Sequence, residues 1–496
     1  MPDPSTATAP VELVTDVLVA GGGGSGLAAA VSAAQHGVKV VLIEKEARLG
    51  GSTALSVGSI TAAGTRLQRR AGIDDTPEDF ERDMTEFDPG LLTGDAPAMR
   101  ALLAREAGAT VAWLEGLGVT LVGPYPEPPH RVPRMHNVVP SSRAYIARLA
   151  EAARKLGVKV MLRAGVTGLL EEGGRVTGAV VRIDGQDVRI RARRGVILAS
   201  GDFSGNAAMR AEHLSPAAAA ARPINRAANG DGHRIAARSG ARLKRMDVTF
   251  GPQLRFAPPA RPGLVSRLPT WAWLCRLEAF GVQRLPASAL RPFVKSLLIT
   301  HTSPSPKLFE HGAILVNRSG ARFCDEKASV AALSSQPGAE GTIIMDARTA
   351  ALFDTEPNAI STAPGIAFAY LRDYRRGRPD LITTADTPEA LAVGLGADPA
   401  VLAESVRGAG LTGPLLAMGP VHSMLTVTEG GLEVDDQCRV LGREGDPIDG
   451  LYAVGGVGQG GMLLLGHGHH IGWAMTSGRL AGRLAAARRP APTGAR

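Results

Sequence analysis

At 496 residues, with 44% hydrophobic and 21% charged residues, the chain is a globular protein too long for one small core, so two or three domains are expected. No uninterrupted apolar run approaches the ~18 residues of a membrane span, and the N-terminal MPDPSTATAPVELVTD lacks a basic or apolar signal region, so a cytoplasmic location is expected. Fifty-five Lys and Arg against 47 Asp and Glu leave a net charge of +8, concentrated toward Arg479, Arg483, Arg488, Arg489 and Arg496; residues 486–496 read as a solvated basic tail rather than a nucleic-acid or anionic-lipid contact.

The organising stretch is Asp16 to Glu44: a buried strand, a glycine turn, an Ala-rich helix and a second apolar strand ending in an acid. Gly21, Gly23 and Gly26 form G-x-G-x-x-G, in which the first glycine permits the turn, the second admits a pyrophosphate and the third lets helix and strand pack. The helix start, at Ser25, offers free N–H groups to phosphate, and Glu44 is placed to accept hydrogen bonds from a ribose diol. Together these features predict a dinucleotide site.

Lys45 and a second glycine turn, Arg48-Leu-Gly-Gly-Ser-Thr53, follow. With GGGGSGLAAA and IEKEARLGGSTALS on the page, the chain resembles the FAD-binding flavoproteins of the fumarate reductase and succinate dehydrogenase superfamily. The resemblance implies a Rossmann-like α/β FAD domain of the glutathione-reductase type with an inserted α+β capping domain. It places Gly51, Ser52, Thr53 and Gly58 near the isoalloxazine and counts Lys45 among the FAD-binding residues. Because residues 51–58 contain no histidine, the FAD is expected to be non-covalent.

Residues 61–120 read as outer helices. Segment 123–143 is proline-rich and reads as an ordered loop, either functional or structural, that gathers Tyr125, His130, Arg131, Arg134, His136 and Arg143. An amphipathic helix over 144–161 and a strand with a β-meander to residue 190 come next. The strand Gly195–Gly201 resembles the family's VVLATGG strand and Asn229–His233 its GDG turn, which implicates Ala199, Ser200, Gly201 and Asp231 in FAD binding; Val166, in the stretch before them, is expected at the cofactor as well.

The resemblance divides the chain into FAD-domain segments at 11–247 and 427–485 around a capping domain at 248–426. Within the cap, 261–300 interleaves Trp271, Trp273, Phe280 and Phe293 with Arg267, Arg276, Arg284 and Arg291. It reads as a lid over an apolar substrate or as a peripheral membrane contact. Toward the C-terminus, Gly450–Gly456 resembles the family's GLYAAGE strand and Gly466–Gly478 its closing turn. By that match Gly455, Gly456, Ile471 and Gly472 contact FAD.

The fumarate branch holds two carboxylates in a basic clamp, but Val330 stands at the position of its donor arginine and Thr426-Val427 at its histidine. The turn GHGHHIGWAMTSGRLAG instead resembles that of the 3-ketosteroid dehydrogenases, where backbone N–H groups polarise a ketone and a tyrosine moves the proton. This implies oxyanion donors at Gly468 and His469, with Tyr125 or one of the histidines of the turn (His467, His469, His470, with His422 nearby) as the proton group. Neither the three separated cysteines, Cys275, Cys324 and Cys438, nor the histidine cluster has the spacing of a metal site. The expected reaction is hydrogen transfer across a CH–CH bond beside a ketone in an apolar, cyclic, steroid-like substrate, with an unidentified electron acceptor or donor. Two other readings stand beside it: reduction of a small unsaturated acid held by the loop arginines, and a flavin-binding electron-transfer or assembly subunit.

Overall fold

Val17, Leu18 and Val19 are fully buried, as are Leu42 and the Ala-rich helix segment Leu27–Val31. Such continuous burial belongs to parallel strands covered on both faces. The computed structural model describes residues 12–90, 96–259, 268–285, 299, 303–363 and 367–490, and its fold is mixed α/β. Strands Lys159–Leu162, Val40–Glu44, Glu12–Ala20, Gln186–Leu198 and Pro447–Ala453 run parallel in that spatial order. Strands Ala164–Glu172, Arg175–Ile183 and Gln186–Leu198 form the antiparallel meander.

The helix Gly24–Gln35 lies against the closing helix His469–Ala487. Their backbones approach so closely that a Cβ on Gly478 would sit 2.3 Å from the Ser25 carbonyl oxygen, and one on Gly482 2.2 Å from that of Ala29. Small residues on both helices make this approach sterically accessible.

A second sheet is built around Leu415–Leu425, which pairs with Arg222–Pro223, Gln253–Phe256, Glu340–Asp346 and Ile382–Ala385. It has its own core of Leu308, Leu315, Ile343, Met345 and Met418. Short antiparallel pairs, Leu243–Lys244 with Gly431–Leu432 and Thr249–Phe250 with Val427–Thr428, join the segments before and after it.

Two local expectations change. Segment 123–143 is not all loop: Leu121–Tyr125 and Met135–Val138 form a three-stranded sheet with Ser59–Thr61. Pro124 is accommodated where the register shifts between Val122 and Tyr125 on an outer strand, the sheet position that tolerates a missing donor. The helix after it spans only Arg143–Lys155, because Gly157 at φ 77° turns the chain into the next strand.

Candidate active site

The glycine turn is shaped by contacts that exclude side chains. A Cβ on Gly26 would lie 1.9 Å from the Gly21 carbonyl oxygen, and one on Gly21 would lie 2.2 Å from that of Ala199. A Cβ on Gly23 would meet nothing nearer than 3.8 Å, so this position borders open space at the start of the helix Gly24–Gln35. Buried Glu44 turns back on the turn, accepting from Gly22 N at 2.6 Å and Glu46 N at 2.8 Å.

The second glycine turn lies alongside. Thr53 Oγ1 accepts from Gly24 N at 3.2 Å, and Asn225 Nδ2 donates to Ser52 Oγ at 2.8 Å. A Cβ on Gly51 would approach Gly23 Cα to 3.2 Å, and the Gly58 carbonyl accepts from the Tyr145 hydroxyl at 3.1 Å.

Opposite, Lys45 pairs with Asp231 at 2.7 Å, and Ser200 Oγ accepts from Gly232 N at 3.2 Å. Ala199, Ser200 and Gly201 follow the end of the strand Gln186–Leu198, while Val166 packs on the core from the meander. Gly455 fits against Ser25, where a Cβ would come within 2.7 Å of the hydroxyl. Gly456 closes on Asp202 N, and Ile471 and Gly472 lie in the first turn of the closing helix. Thus the first glycine turn meets Glu44, the second glycine turn and Ala199, Gly455 meets the helix start at Ser25, and Lys45 meets Asp231, while Val166 and Gly58 contact other parts of the core.

Gly468 caps the closing helix at φ 81° and seats against Thr61, whose hydroxyl donates to the His467 carbonyl at 2.7 Å. Among the described residues, the N–H groups of Gly468, His470 and Ile471 find no acceptor, as the first N–H groups of a helix do not within the helix itself. They form a compact donor set.

His469 does not belong to that set. Its N–H is taken by the Gly466 carbonyl at 3.3 Å, and its Nδ1 accepts from Gly466 N at 3.1 Å. The ring is buried, lies 3.1 Å (Nε2 to Nε2) from His130, and packs edge-on to Phe80 and Phe87. Burial, then the charge of Arg134, drives His130 down to about 4, and burial drives His469 well below the ordinary histidine range. Both rings are neutral and structural, so the expectation of a donor or proton group at His469 is corrected.

The flanking histidines have different partners. Glu127, only 6% exposed, accepts with one oxygen from both His467 N at 2.7 Å and His467 Nδ1 at 2.5 Å. That hydrogen bond raises the His467 pKa against burial and against Arg255 and His470. The ring itself is 67% exposed. His470 Nε2 lies 2.8 Å from Glu429, a fully buried carboxylate that also accepts from Gln459 Nε2. Burial depresses His470, but Glu429 outweighs it and the net shift is upward. Sequence reasoning does not single out Glu127 or Glu429: Glu127 lies two residues after Tyr125, and Glu429 directly precedes two glycines in Thr428-Glu-Gly-Gly-Leu432, with no motif to mark either carboxylate.

Among the described residues, Tyr125 has no neighbour that would lower its pKa for a base. Its ring packs with Val122, Val139, Cys275 and Ala279, and burial raises its pKa, the wrong direction for a base. His130 faces His469, while Arg131 pairs with Asp79 and Asp83. Arg134, 1% exposed, pairs with Asp75 at 2.6 Å and also with Asp83. The loop arginines Arg131 and Arg134 therefore anchor the loop instead of presenting charge to a substrate. Among the described residues no three metal-ligating side chains converge.

Comparison with known proteins accounts for this architecture. The chain matches the FAD binding domain family over residues 16–269 and 256–465. It belongs to that family. The flavoprotein is 28% identical to the probable fumarate reductase Ifc3 of Shewanella frigidimarina over 502 residues, 95% of this chain and 75% of that protein. It is also 28% identical to the 3-oxosteroid 1-dehydrogenase of Mycolicibacterium smegmatis over 316 residues, 48% of this chain and 56% of that protein. Among solved structures, the open conformation of a flavocytochrome c3 fumarate reductase superposes with a TM-score of 0.72 at 26% identity, covering 97% of this chain and 79% of that one.

FAD is the cofactor, and the protein is an FAD-dependent oxidoreductase of the fumarate reductase and steroid dehydrogenase family. The residues present fit it: the open face at Gly23, the Ser25 and Gly26 N–H groups, which have no acceptor among the described residues, and the Gly21–Ala199 approach form the cradle that a pyrophosphate needs.

Proposed function

We propose that this flavoprotein moves two hydrogens across a carbon–carbon bond adjacent to a ketone in an apolar, cyclic substrate. The observation that carries the reading is the His467–Glu127 pair beside the unengaged Gly468 N–H. FAD, when bound, supplies the hydride-exchanging centre. Gly468 N–H polarises the substrate carbonyl, and its fixed position means no reorganisation as charge develops. His467 donates Nδ1–H to Glu127, which leaves Nε2 to take or return the proton at the α-carbon. Glu127 holds the ring in that tautomer. In this reading the FAD is non-covalent, its domain is Rossmann-like and the second sheet caps the substrate side.

A second reading, reduction of a small unsaturated acid, draws on Arg255, which donates to Gln253 Oε1 and Thr426 Oγ1 at 3.4 Å and whose charge opposes protonation of His467. One guanidinium could hold one carboxylate. A dicarboxylate would call for paired cations, and Arg131 and Arg134 are already spent on aspartates.

Anaerobic mixing of the oxidised holoprotein with cyclic ketones and, separately, with saturated carboxylic acids tests both. Bleaching of the oxidised-flavin band by ketones, lost in His467→Asn, supports the first reading. Bleaching by acids alone replaces it with the second. If neither substrate class bleaches the flavin, the chemically reduced holoprotein is mixed with enones and enoic acids; reoxidation by neither refutes both readings.

A further inference from the structure

The helix Ala272–Arg284 is inverted relative to a lid. Its inward face, Cys275, Ala279 and Val282, packs on Val122, Val139 and Tyr125. Its outward stripe is Trp273, Leu277 and Phe280, which are 62%, 60% and 57% exposed, flanked by Trp271 and Leu285. Trp271 and Trp273 stack with ring centroids 5.9 Å apart. The lid expectation therefore fails for the described part of 261–300; Arg267, Arg291 and Phe293 lie outside the described residues.

A contiguous row of five large apolar side chains on one short element is not a random scatter. The charges around it have one dominant sign. Arg276 and Arg284 are exposed, with Arg284 lying over the Phe280 ring at 5.1 Å. Glu278, the helix's one acid, has a buried carboxylate oxygen without a hydrogen-bond partner. Beside Trp271 and Trp273 a shallow depression is lined by Arg148 and Glu151 of the helix Arg143–Lys155, which also exposes Arg143, Arg154 and Lys155.

We infer that this face docks on an anionic lipid bilayer, with the helix lying in the interface plane. Tryptophans favour the headgroup boundary, where the ring is sheltered and the indole N–H stays wet. The arginines would meet anionic headgroups around the inserted stripe. The helix lies on the surface rather than crossing it: 13 residues span about 20 Å, and among the described residues no helix is long and apolar enough to span a membrane. The docked helix rests on the strand Leu121–Tyr125, two residues before Glu127, so the lipid contact adjoins the wall of the candidate site.

The test is co-sedimentation of the holoprotein with equimolar phosphatidylglycerol–phosphatidylcholine vesicles and with pure phosphatidylcholine vesicles, alongside tryptophan emission. Trp473 is fully buried and Trp113 is half-buried with its indole N–H on Gln35, so the part of a blue shift that Trp271→Ala/Trp273→Ala removes reports on this helix. We expect binding to anionic vesicles, weakened by salt, and a blue shift on binding. Trp271→Ala/Trp273→Ala should lower the bound fraction at least about tenfold at unchanged flavin content and Tm. Arg276→Glu/Arg284→Glu should lose the preference for anionic lipid. Failure to bind anionic vesicles overturns the inference, as does binding that survives the double tryptophan substitution. A dimer that the same substitution dissociates, without vesicle binding, assigns the face to a second copy of the chain and equally overturns it.

Discussion

Glu127→Gln isolates the central electrostatic claim. The carboxylate is buried, and one oxygen holds both the backbone N–H and the ring Nδ1–H of His467. Glutamine keeps the shape and one acceptor but removes the charge. Hydrogen bonds to charged groups contribute about 1.5–3 kcal/mol, and a ring that is 67% exposed to solvent belongs at the lower end of that range. The variant should fold with its FAD and lose about tenfold in the rate of flavin reduction by a ketone substrate.

The sign of the pH effect is fixed as well. Glu127 raises the His467 pKa, so its removal lowers it. If neutral His467 is the base, the rate rises with pH, and in Glu127→Gln that rise moves to lower pH. Ring proton resonances of His467, assigned by their absence in His467→Asn, give the same titration without any substrate. An unmoved titration in Glu127→Gln would refute the reasoning, whatever happened to the rate.

Three further outcomes are expected. Gly23→Ala meets no protein atom within 3.8 Å and should fold normally yet purify depleted of flavin, whereas Gly26→Ala should impair the fold itself; a full flavin complement in Gly23→Ala would show that no phosphate approaches there. Arg134→Met leaves Asp75 buried without a cation, while Asp83 keeps Arg131, and should cost about 3 kcal/mol, read by denaturant unfolding; unchanged stability with a raised KM would instead make Arg134 a substrate ligand. Burial holds His130, His136 and His233 at about 4, below the ordinary 6.5. The unfolded chain therefore takes up protons first, and the stability these residues provide above pH 6.5 should drain away as the pH falls toward 4, each contributing on the order of 3 kcal/mol at most. A flat denaturation midpoint across that window would contradict neutral, buried rings.

The cofactor half of the site was legible in the sequence because its determinants are local. Gly21 and Gly26 are fixed by steric contacts within one turn and with one neighbouring strand, while Gly23 keeps the face between them open, and such a turn leaves a spacing that can be read along the chain. Even Lys45 and Asp231, read separately as cofactor residues, turned out to be partners. The proton-handling half was only half legible. The sequence places His467, His469 and His470 within four positions and treats them alike.

Tertiary structure alone separated them. His469 is driven to neutrality among Phe80, Phe87 and His130, whereas His467 and His470 each meet a carboxylate, from residues 340 and 41 positions away in the chain. In the same way Arg131 and Arg134 read as free cations until the fold set Asp75, Asp79 and Asp83 against them. What a sequence determines by itself is backbone shape, because glycines and apolar runs act on their near neighbours. Whether an ionisable side chain works in chemistry or in scaffolding depends on which distant charge folding brings within about 3 Å, and on how much water it leaves there.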